Sequence, residues 1–189
     1  MRDTKNLMAE KIAPVMADVL KNHPDTQKMG EILSTWDYLD DADKAAPSIF
    51  QSVYRNFAVL VYTDELGEPL ASVMLGNWYY WQESLLKRVL EGEFEWFDDV
   101  STPKKETMAD LFHQAALNAT EEFAETMGSN PEEWRWGKIH KLEFVSTIRQ
   151  KGVGKSLLGG GSYEFGGSGE TLYRGYYKFN KPYDAFVTA

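Results

Sequence analysis

A glycine-rich stretch between two aromatic segments constrains this fold more than any other feature of the sequence. Eight of the fifteen glycines fall within residues 152–169. Glycine loses more backbone freedom on folding than any other residue, so such a run needs a structural reason. It can be a flexible surface loop, or it can place backbone against another segment or along a cleft where a Cβ would not fit.

The segments on either side of the glycine-rich stretch have the patterns of strands. Before it, alternation over about 138–146 places Ile139, Lys141, Glu143 and Val145 on one face and His140, Leu142 and Phe144 on the other. After it, residues 171–178 are rich in aromatic and apolar side chains, which is typical of a strand buried on most sides. The sequence therefore predicts two strands near the end of the chain.

The preceding part, about 1–135, has the apolar spacing of helices. Helices are predicted from Asp3 to Asn22, from Thr26 to about Thr35, from near Pro47 to about Leu66, within 69–99, and from Thr102 to Met127. A short aromatic turn is expected after Gly92, and one further turn around Asn130 to Glu133. The fold class is therefore α+β, a mostly helical part followed by strands.

Several helix boundaries are predicted from single residues. Asp3 or Thr4 is expected to cap the first helix, and Pro14 is expected to bend it because proline removes a backbone hydrogen bond. Thr102 is expected to cap the last long helix and Gly128 to end it.

Composition excludes several classes of protein. With 29 acidic against 20 basic residues and no basic stripe, the chain lacks the footprint of a nucleic-acid binder. It has no cysteine, so disulfides, thiolate nucleophiles and cysteine metal sites are excluded. No apolar run exceeds the six residues of 57–62, and no signal peptide is evident, so the chain as given is expected to be soluble and without a membrane span.

Four aspartates within 37–43 raise the question of a calcium site. Asp37, Asp40, Asp41 and Asp43 offer hard oxygen ligands, but their spacing is not that of an EF-hand. The favoured interpretation is that they cap and charge the N-terminus of the next helix. No metal site is predicted there, nor at the three scattered histidines, which lack ligand spacing.

Other candidates for chemistry are weak. The run GVGKS at 152–156 ends like a phosphate-binding loop, but Arg149 stands where that motif needs its first glycine, so nucleotide binding is rejected. GGSGE at 166–170 has the wrong spacing for a nucleophile elbow. His140 is either a hydrogen-bonded core residue, which we favour, or a catalytic one. The aromatics of 78–97 form ordinary packing, which we favour, or an aromatic cage or sugar platform. No catalytic or substrate-binding residue is assigned.

Four blocks of the sequence resemble one family. RDTKNLMAEKIAP at 2–14, TWDYLDDADKAAPSIFQSVYRNF at 35–57, NPEEWRWGKIHKLEF at 130–144 and GGSYEFGGSGETL at 160–172 are similar, in that order, to the C-terminal part of the β chain of the penicillin acylase (penicillin amidase) family. The strongest segments are WG-x-x-H and GGSGETL. Ser168 and Leu172 depart from the GG-acidic-G-x-TV pattern common in that family.

The resemblance implies an N-terminal-nucleophile (Ntn) amidohydrolase, in which a serine exposed by self-cleavage attacks an amide. The strands would then belong to an αββα sandwich, and 1–189 would be one segment of a larger hydrolase, inactive alone. The family's nucleophile and oxyanion asparagine have no counterpart here, and its calcium ligands lie upstream, so no cofactor is expected in this segment.

The expected partners are the remainder of the parent polypeptide, namely an α chain and the N-terminal part of a β chain, and a small-molecule amide. The parent would be periplasmic or extracellular. The glycine run would lie against parts of the parent. The rival interpretation is a stand-alone helical binding module whose aromatic patch, Trp78 to Phe97, grips a partner.

Overall fold

The computed structural model describes residues 3–76, 78–92, 94–143, 162–173, 176–178 and 181–186. Over these ranges the helices are α1 (Leu7–Lys21), α2 (Gln27–Ser34), α3 (Ala46–Leu75), α4 (Trp78–Glu91), α5 (Met108–Met127) and α6 (Trp136–Ile139). Short 3₁₀ helices span Glu95–Phe97 and Pro131–Glu133. The strands are β1 (Lys141–Glu143), β2 (Ser162–Glu164), β3 (Tyr176–Lys178) and β4 (Lys181–Phe186). Helices precede strands, so the predicted α+β class is confirmed.

The first helix begins later than its sequence pattern predicts. Asn6, rather than Asp3 or Thr4, caps α1, because its side-chain oxygen accepts a hydrogen bond from the amide of Ala9 at 2.8 Å. Thr4 is instead bonded to the loop before α3, since its carbonyl accepts the amide of Asp40 and its hydroxyl donates to Asp41. The helix runs without interruption from Leu7 to Lys21, with Pro14 in its interior.

The long helix α3 is broken at Gly67. Gly67 has φ 69° and ψ 156°, which lie outside the helical region, so the chain forms two helical parts joined at a kink. The predicted end at about Leu66 is therefore confirmed. Pro69 lies just after the break, where the second part begins and a missing N–H costs little.

The start of α5 corrects a second prediction. The helix begins at Met108 with a capping box, in which Thr107 and Asp110 exchange side-chain and backbone hydrogen bonds. Thr102 does not cap it, because its hydroxyl contacts the carbonyl of Lys104 and the carboxylate of Glu106 within the preceding loop. Gly128, with φ 85°, follows the last helical residue as predicted.

The core lies between α1, α3 and α5. Phe57 of α3 stacks on Phe112 of α5 with ring centroids 4.1 Å apart, and both rings are fully buried. At the edge of this contact Arg55 donates to both carboxylate oxygens of Glu122, each at 2.7 Å. Together these contacts fix α5 against α3.

The aromatic segment contributes to the same core. Trp81 and Phe97 are almost completely buried, and Phe94 and Trp96 are partly buried against the same cluster. The Tyr54 hydroxyl donates to the carbonyl of Gln82, which ties α4 to α3. Over the residues whose side chains are described, this burial supports ordinary packing rather than an exposed aromatic patch.

The four strands form one sheet in the order β2-β1-β4-β3. β1 pairs with β2 in antiparallel fashion and with β4 in parallel, and β4 pairs with β3 in antiparallel fashion. The sheet lies at the end of the chain, beside the turn formed by α6.

Both predicted strands begin later than expected. Lys138 and Ile139 belong to the helical turn α6, since the amide of His140 donates to the carbonyl of Trp136 at 2.8 Å, and β1 starts only at Lys141. Residues 144–146 lie outside the described ranges. Thr171 to Tyr173 form a turn closed by the Thr171 hydroxyl, and β3 starts at Tyr176.

Candidate functional site

The four sequence blocks that carry the family resemblance meet at one place in the fold. We call it the junction, and it consists of residues 3–6, 37–44, 135–140 and 164–173. Near its centre lies Asp40, whose side chain is fully buried.

The N-terminal segment pairs with the loop before α3. The amide of Asn6 donates to the carbonyl of Tyr38 and the amide of Asp40 donates to the carbonyl of Thr4, each at 2.8 Å. Tyr38 has φ 62°, a conformation that non-glycine residues rarely adopt. The Thr4 hydroxyl also donates to Asp41 Oδ1 at 2.7 Å. These bonds hold the loop in a conformation that its sequence alone does not favour.

The glycine pair at 166–167 packs directly on this loop. The amide of Gly167 donates to the carbonyl of Asp40 at 2.6 Å, and a Cβ on Gly166 would lie 3.0 Å from the same carbonyl oxygen. Gly167 has φ 79°, and a Cβ there would lie 1.9 Å from the carbonyl oxygen of Tyr173. Of the two interpretations of the glycine run, close backbone approach therefore holds for these two positions. Residues 152–156 and the glycines up to Gly161 lie outside the described residues.

The tryptophan-glycine turn closes the junction from the other side. The amides of Trp136 and Gly137 donate to the carbonyls of Lys44 and Ala42 at 2.8 and 2.7 Å. The Trp136 indole N–H donates to the carbonyl of Gly167 at 2.9 Å. Trp136 is fully buried and thus joins the loop before α3 to the glycine loop.

His140 is a core residue of this turn. It is fully buried, and its ring stacks on Trp136 with centroids 4.3 Å apart and planes 15° from parallel. Its carbonyl accepts the amide of Phe165 at 3.0 Å, which connects α6 to β2. Because no solvent reaches the ring, these contacts favour the core interpretation over the catalytic one.

Asp40 is the titratable group that the sequence did not single out. Asn6 Nδ2 donates to Oδ2 at 3.0 Å, while Oδ1 is buried and no described residue forms a hydrogen bond with it. Burial is the main reason that the pKa of this carboxyl is raised to about 7; hydrogen bonding by Ser168 and Asn6 lowers the pKa, and the charges of Glu170 and Asp41 raise it.

The hydroxyls of the junction are structural. Ser168 is fully buried, and Thr171 Oγ1 accepts the Ser168 amide at 2.9 Å and donates to the Tyr173 carbonyl at 2.7 Å. A nucleophile must reach both a base and a substrate, and neither hydroxyl is open to a substrate. The junction therefore has the properties of a structural joint rather than of an active site.

Contrary to the prediction from the sequence, the aspartates of 37–43 do not cap the helix that follows them. The residue that caps α3 is Ala45, without a side-chain cap. Asp37 and Asp41 both form ion pairs with Lys44, at 2.7 and 3.0 Å, because the loop folds back on this lysine. In the ranges that the structure describes, no three histidine, aspartate or glutamate side chains are grouped so that they could hold a metal ion.

The structure does bring two distant histidines together. The rings of His23 and His113 stack with centroids 3.8 Å apart, and His113 Nε2 lies 2.9 Å from Asp25 Oδ1. This hydrogen bond is the main reason that the pKa of Asp25 lies below its usual value. No spacing rule could have found the pair, since Asp25 and His113 are 88 residues apart in the chain.

A surface cleft of about 550 Å³ lies between α3, α5 and the loop that joins α4 to α5. Its walls include Leu60, Trp96 and Leu111, and its rim carries Asp64 and Asp99. Burial and the charge of Asp99 raise the pKa of Asp64, whereas hydrogen bonds from Ser101 lower that of Asp99.

Comparison with known proteins agrees with the resemblance in the sequence. The sequence model of the family described as penicillin amidase matches residues 1–189. An acyl-homoserine lactone acylase QuiP from Pseudomonas syringae pv. syringae is 26% identical over 155 residues, which cover 76% of this chain and 18% of that protein. A protein of the same description from Pseudomonas aeruginosa is 26% identical over 165 residues, covering 77% of this chain and 19% of its own length. The chain thus spans about a fifth of the length of these relatives.

Proposed function

The chain belongs to the penicillin amidase family, and from this premise we propose that it is a structural segment of an amidohydrolase that cleaves the amide bond of an acylated amine. The observation that carries the proposal is the family match over the whole chain, 1–189. The relatives named as acyl-homoserine lactone acylases support the same reaction class, since these enzymes also hydrolyse an amide.

The role of this segment in the parent enzyme is to supply scaffold. The sequence blocks shared with the family form the junction, whose polar groups are buried and bonded to one another. The nucleophilic serine and the oxyanion asparagine would come from another part of the parent polypeptide, and the segment alone would be inactive. The strands β1 to β4 would belong to the αββα sandwich of the parent.

Other properties of the parent are proposed on family resemblance alone. The parent would be exported to the periplasm or the cell exterior, and any calcium would bind outside this segment. Within the described residues, no helix is both long enough and apolar enough to cross a membrane.

The test compares the segment with the protein encoded by the complete reading frame. Both are assayed for amine release from phenylacetyl amides, aliphatic acyl amides and acyl-homoserine lactones. We expect hydrolysis of at least one class by the complete protein and none by the 189-residue chain. Replacing the serine at the start of the parent's β chain with alanine should abolish the activity.

Two results would contradict the proposal. Amide hydrolysis by the isolated chain would show that the catalytic groups lie within it. A reading frame that encodes no serine-initiated β chain upstream of the segment would remove the basis for Ntn chemistry, and the binding-module interpretation would then be preferred.

A further inference from the structure

The Asp40 carboxyl is placed where an ionised group is poorly stabilised. It is fully buried, and one amide donor, Asn6 Nδ2, forms a hydrogen bond with it at 3.0 Å. A buried carboxylate ordinarily needs a cation or several donors to offset its lost hydration. Oδ1 has no hydrogen-bond partner among the described residues. The geometry by itself thus favours the neutral acid.

The charged groups around Asp40 act in the same direction. Asp41 on its own segment and Glu170 on the glycine loop both oppose its ionisation. Lys44 is paired with Asp37 and Asp41 instead. Among the described residues, Asn6 at the start of α1 and Ser168 on the glycine loop also face the carboxyl, and His140 of the neighbouring turn is buried against Trp136.

Three hydrogen bonds attach the segment that carries Glu170 to other parts of the junction. The glycine loop, residues 166–173, is bonded through the Gly167 amide to the Asp40 carbonyl and through the Tyr173 amide to the Asp3 carbonyl. The third attachment is the bond from the Trp136 indole to the Gly167 carbonyl. Two of these three bonds reach the segments that flank the Asp40 side chain, so a charge on that side chain acts directly on the loop.

We propose that Asp40 is a protonation-controlled clasp: the neutral acid lets the glycine loop close on residues 3–6 and 38–42, and ionisation loosens the loop because it places a charge in a fully buried site that has few hydrogen-bond donors. The elevated pKa of Asp40, about 7, supports this assignment. The clasp is independent of the proposed enzymatic function.

The sign of the pH dependence follows from the direction of this shift. A carboxyl whose pKa is higher in the folded chain than in the unfolded chain stabilises the closed state fully below the unfolded value, which is 3.8. That contribution is lost as the pH rises through the folded value. The closed loop should therefore be tightest in mild acid and loosest in mild alkali.

Two measurements on the unaltered chain test the clasp. The ¹³C chemical shift of the Asp40 carboxyl should titrate near neutrality rather than near pH 4. Hydrogen exchange of the Gly167 and Tyr173 amides, corrected for intrinsic exchange, should become about tenfold faster or more between about pH 5.5 and about pH 8.5. Amides in the middle of α5 should not follow this change, because the effect is local to the loop.

A pair of variants isolates the carboxyl. Asp40→Asn replaces the titrating group by a neutral one of the same shape and should remove the pH dependence of loop exchange. Asp43→Asn is the matched control, since Asp43 is exposed on the same segment, and it should retain the wild-type profile.

Several results would overturn the clasp: Asp40 titrating near pH 4, pH-independent loop exchange, equal acceleration in α5, or unchanged pH dependence in Asp40→Asn. If Asp40→Asn does not fold, the carboxyl titration and the exchange profile of the unaltered chain decide the question.

Discussion

Gly167 and Gly92 have nearly the same backbone conformation in different surroundings. Their φ angles are 79° and 80°, but a Cβ on Gly167 would overlap the Tyr173 carbonyl oxygen, whereas a Cβ on Gly92 would have no atom within 4 Å. Comparing the same substitution at the two positions therefore distinguishes the cost of a positive φ from the cost of a steric overlap. At Gly167, the backbone conformation and the nearby Tyr173 carbonyl require glycine.

Replacing Gly167 with alanine should destabilise the chain by about 3 kcal/mol or more, because the overlap cannot be relieved without opening the loop. Gly92→Ala should cost only about 1 kcal/mol, the strain of a positive φ alone. Urea denaturation of both variants measures the difference. Equal losses of stability would show that the close approach at Gly167 does not matter.

At this scale the sequence shows residue types but not their burial. Asp40 is one of four neighbouring aspartates that no local pattern distinguishes, and it becomes special only because residues 4–6, 136–137 and 166–168 cover it. Asp37 and Asp41, a few residues away, pair with Lys44 at the surface. The contacts that bury Asp40 join positions far apart in the chain, so no sequence window contains them.

At the scale of elements, α1 and α2 approach each other closely at Gly30. A Cβ there would lie 2.7 Å from the amide nitrogen of Lys21 and 2.9 Å from the carbonyl oxygen of Ala17, both backbone atoms of α1 or its end. The α1–α2 crossing is thus set by the absence of a side chain. Met29 and Leu33 of α2 are buried beside it.

Gly30→Ala should destabilise the chain although alanine is the better helix former. The gain in helix propensity is about 1 kcal/mol, and forcing the two helices apart costs about 1–3 kcal/mol, so we expect a net loss of up to about 2 kcal/mol. Chemical denaturation provides the measurement. Gln27→Ala, on the exposed side of the same helix, should change stability by less than about 0.5 kcal/mol. A stabilised Gly30→Ala variant would mean that the helices do not approach this closely.

Helix positions were easier to predict than helix starts and strands. The spacing of apolar residues located α1, α2, α3 and α5, because that spacing reflects which face is buried. The start of α5 was wrong because both Thr102 and Thr107 can cap a helix, and the capping box with Asp110 decides between them. The strand predicted over about 138–146 was wrong at its start, since the amides of Trp136 and Gly137 bond to residues 44 and 42 and impose a helical turn.

For the whole molecule, the helical part before residue 135 and the part that follows it are bonded to each other and are not separate structures. Trp136 and Gly137 donate to the carbonyls before α3, Gly167 donates to Asp40, and Tyr173 donates to Asp3. The sequence located the helical and strand-rich parts but could not show this interlocking, which depends on contacts across more than 90 residues. It follows that the helical part should depend on the later part for stability.

We therefore expect a chain ending at Arg135 to be much less stable than one ending at Tyr173. The shorter chain loses four backbone hydrogen bonds at the junction, at about 1 kcal/mol each, out of a total stability of about 5–15 kcal/mol. It also leaves uncovered the surface on which Trp136 is buried. A loss of about 4 kcal/mol corresponds to a fall in Tm of about 8–16 °C for a protein of this size. The chain ending at Tyr173 retains these four bonds and loses β3 and β4, that is, their pairing with each other and the pairing of β4 with β1, so its Tm should fall less. Thermal unfolding followed by far-UV circular dichroism compares the two truncations with the complete chain. If the chain ending at Arg135 melts within a few degrees of the complete chain, the helices do not need the junction and the two parts fold independently.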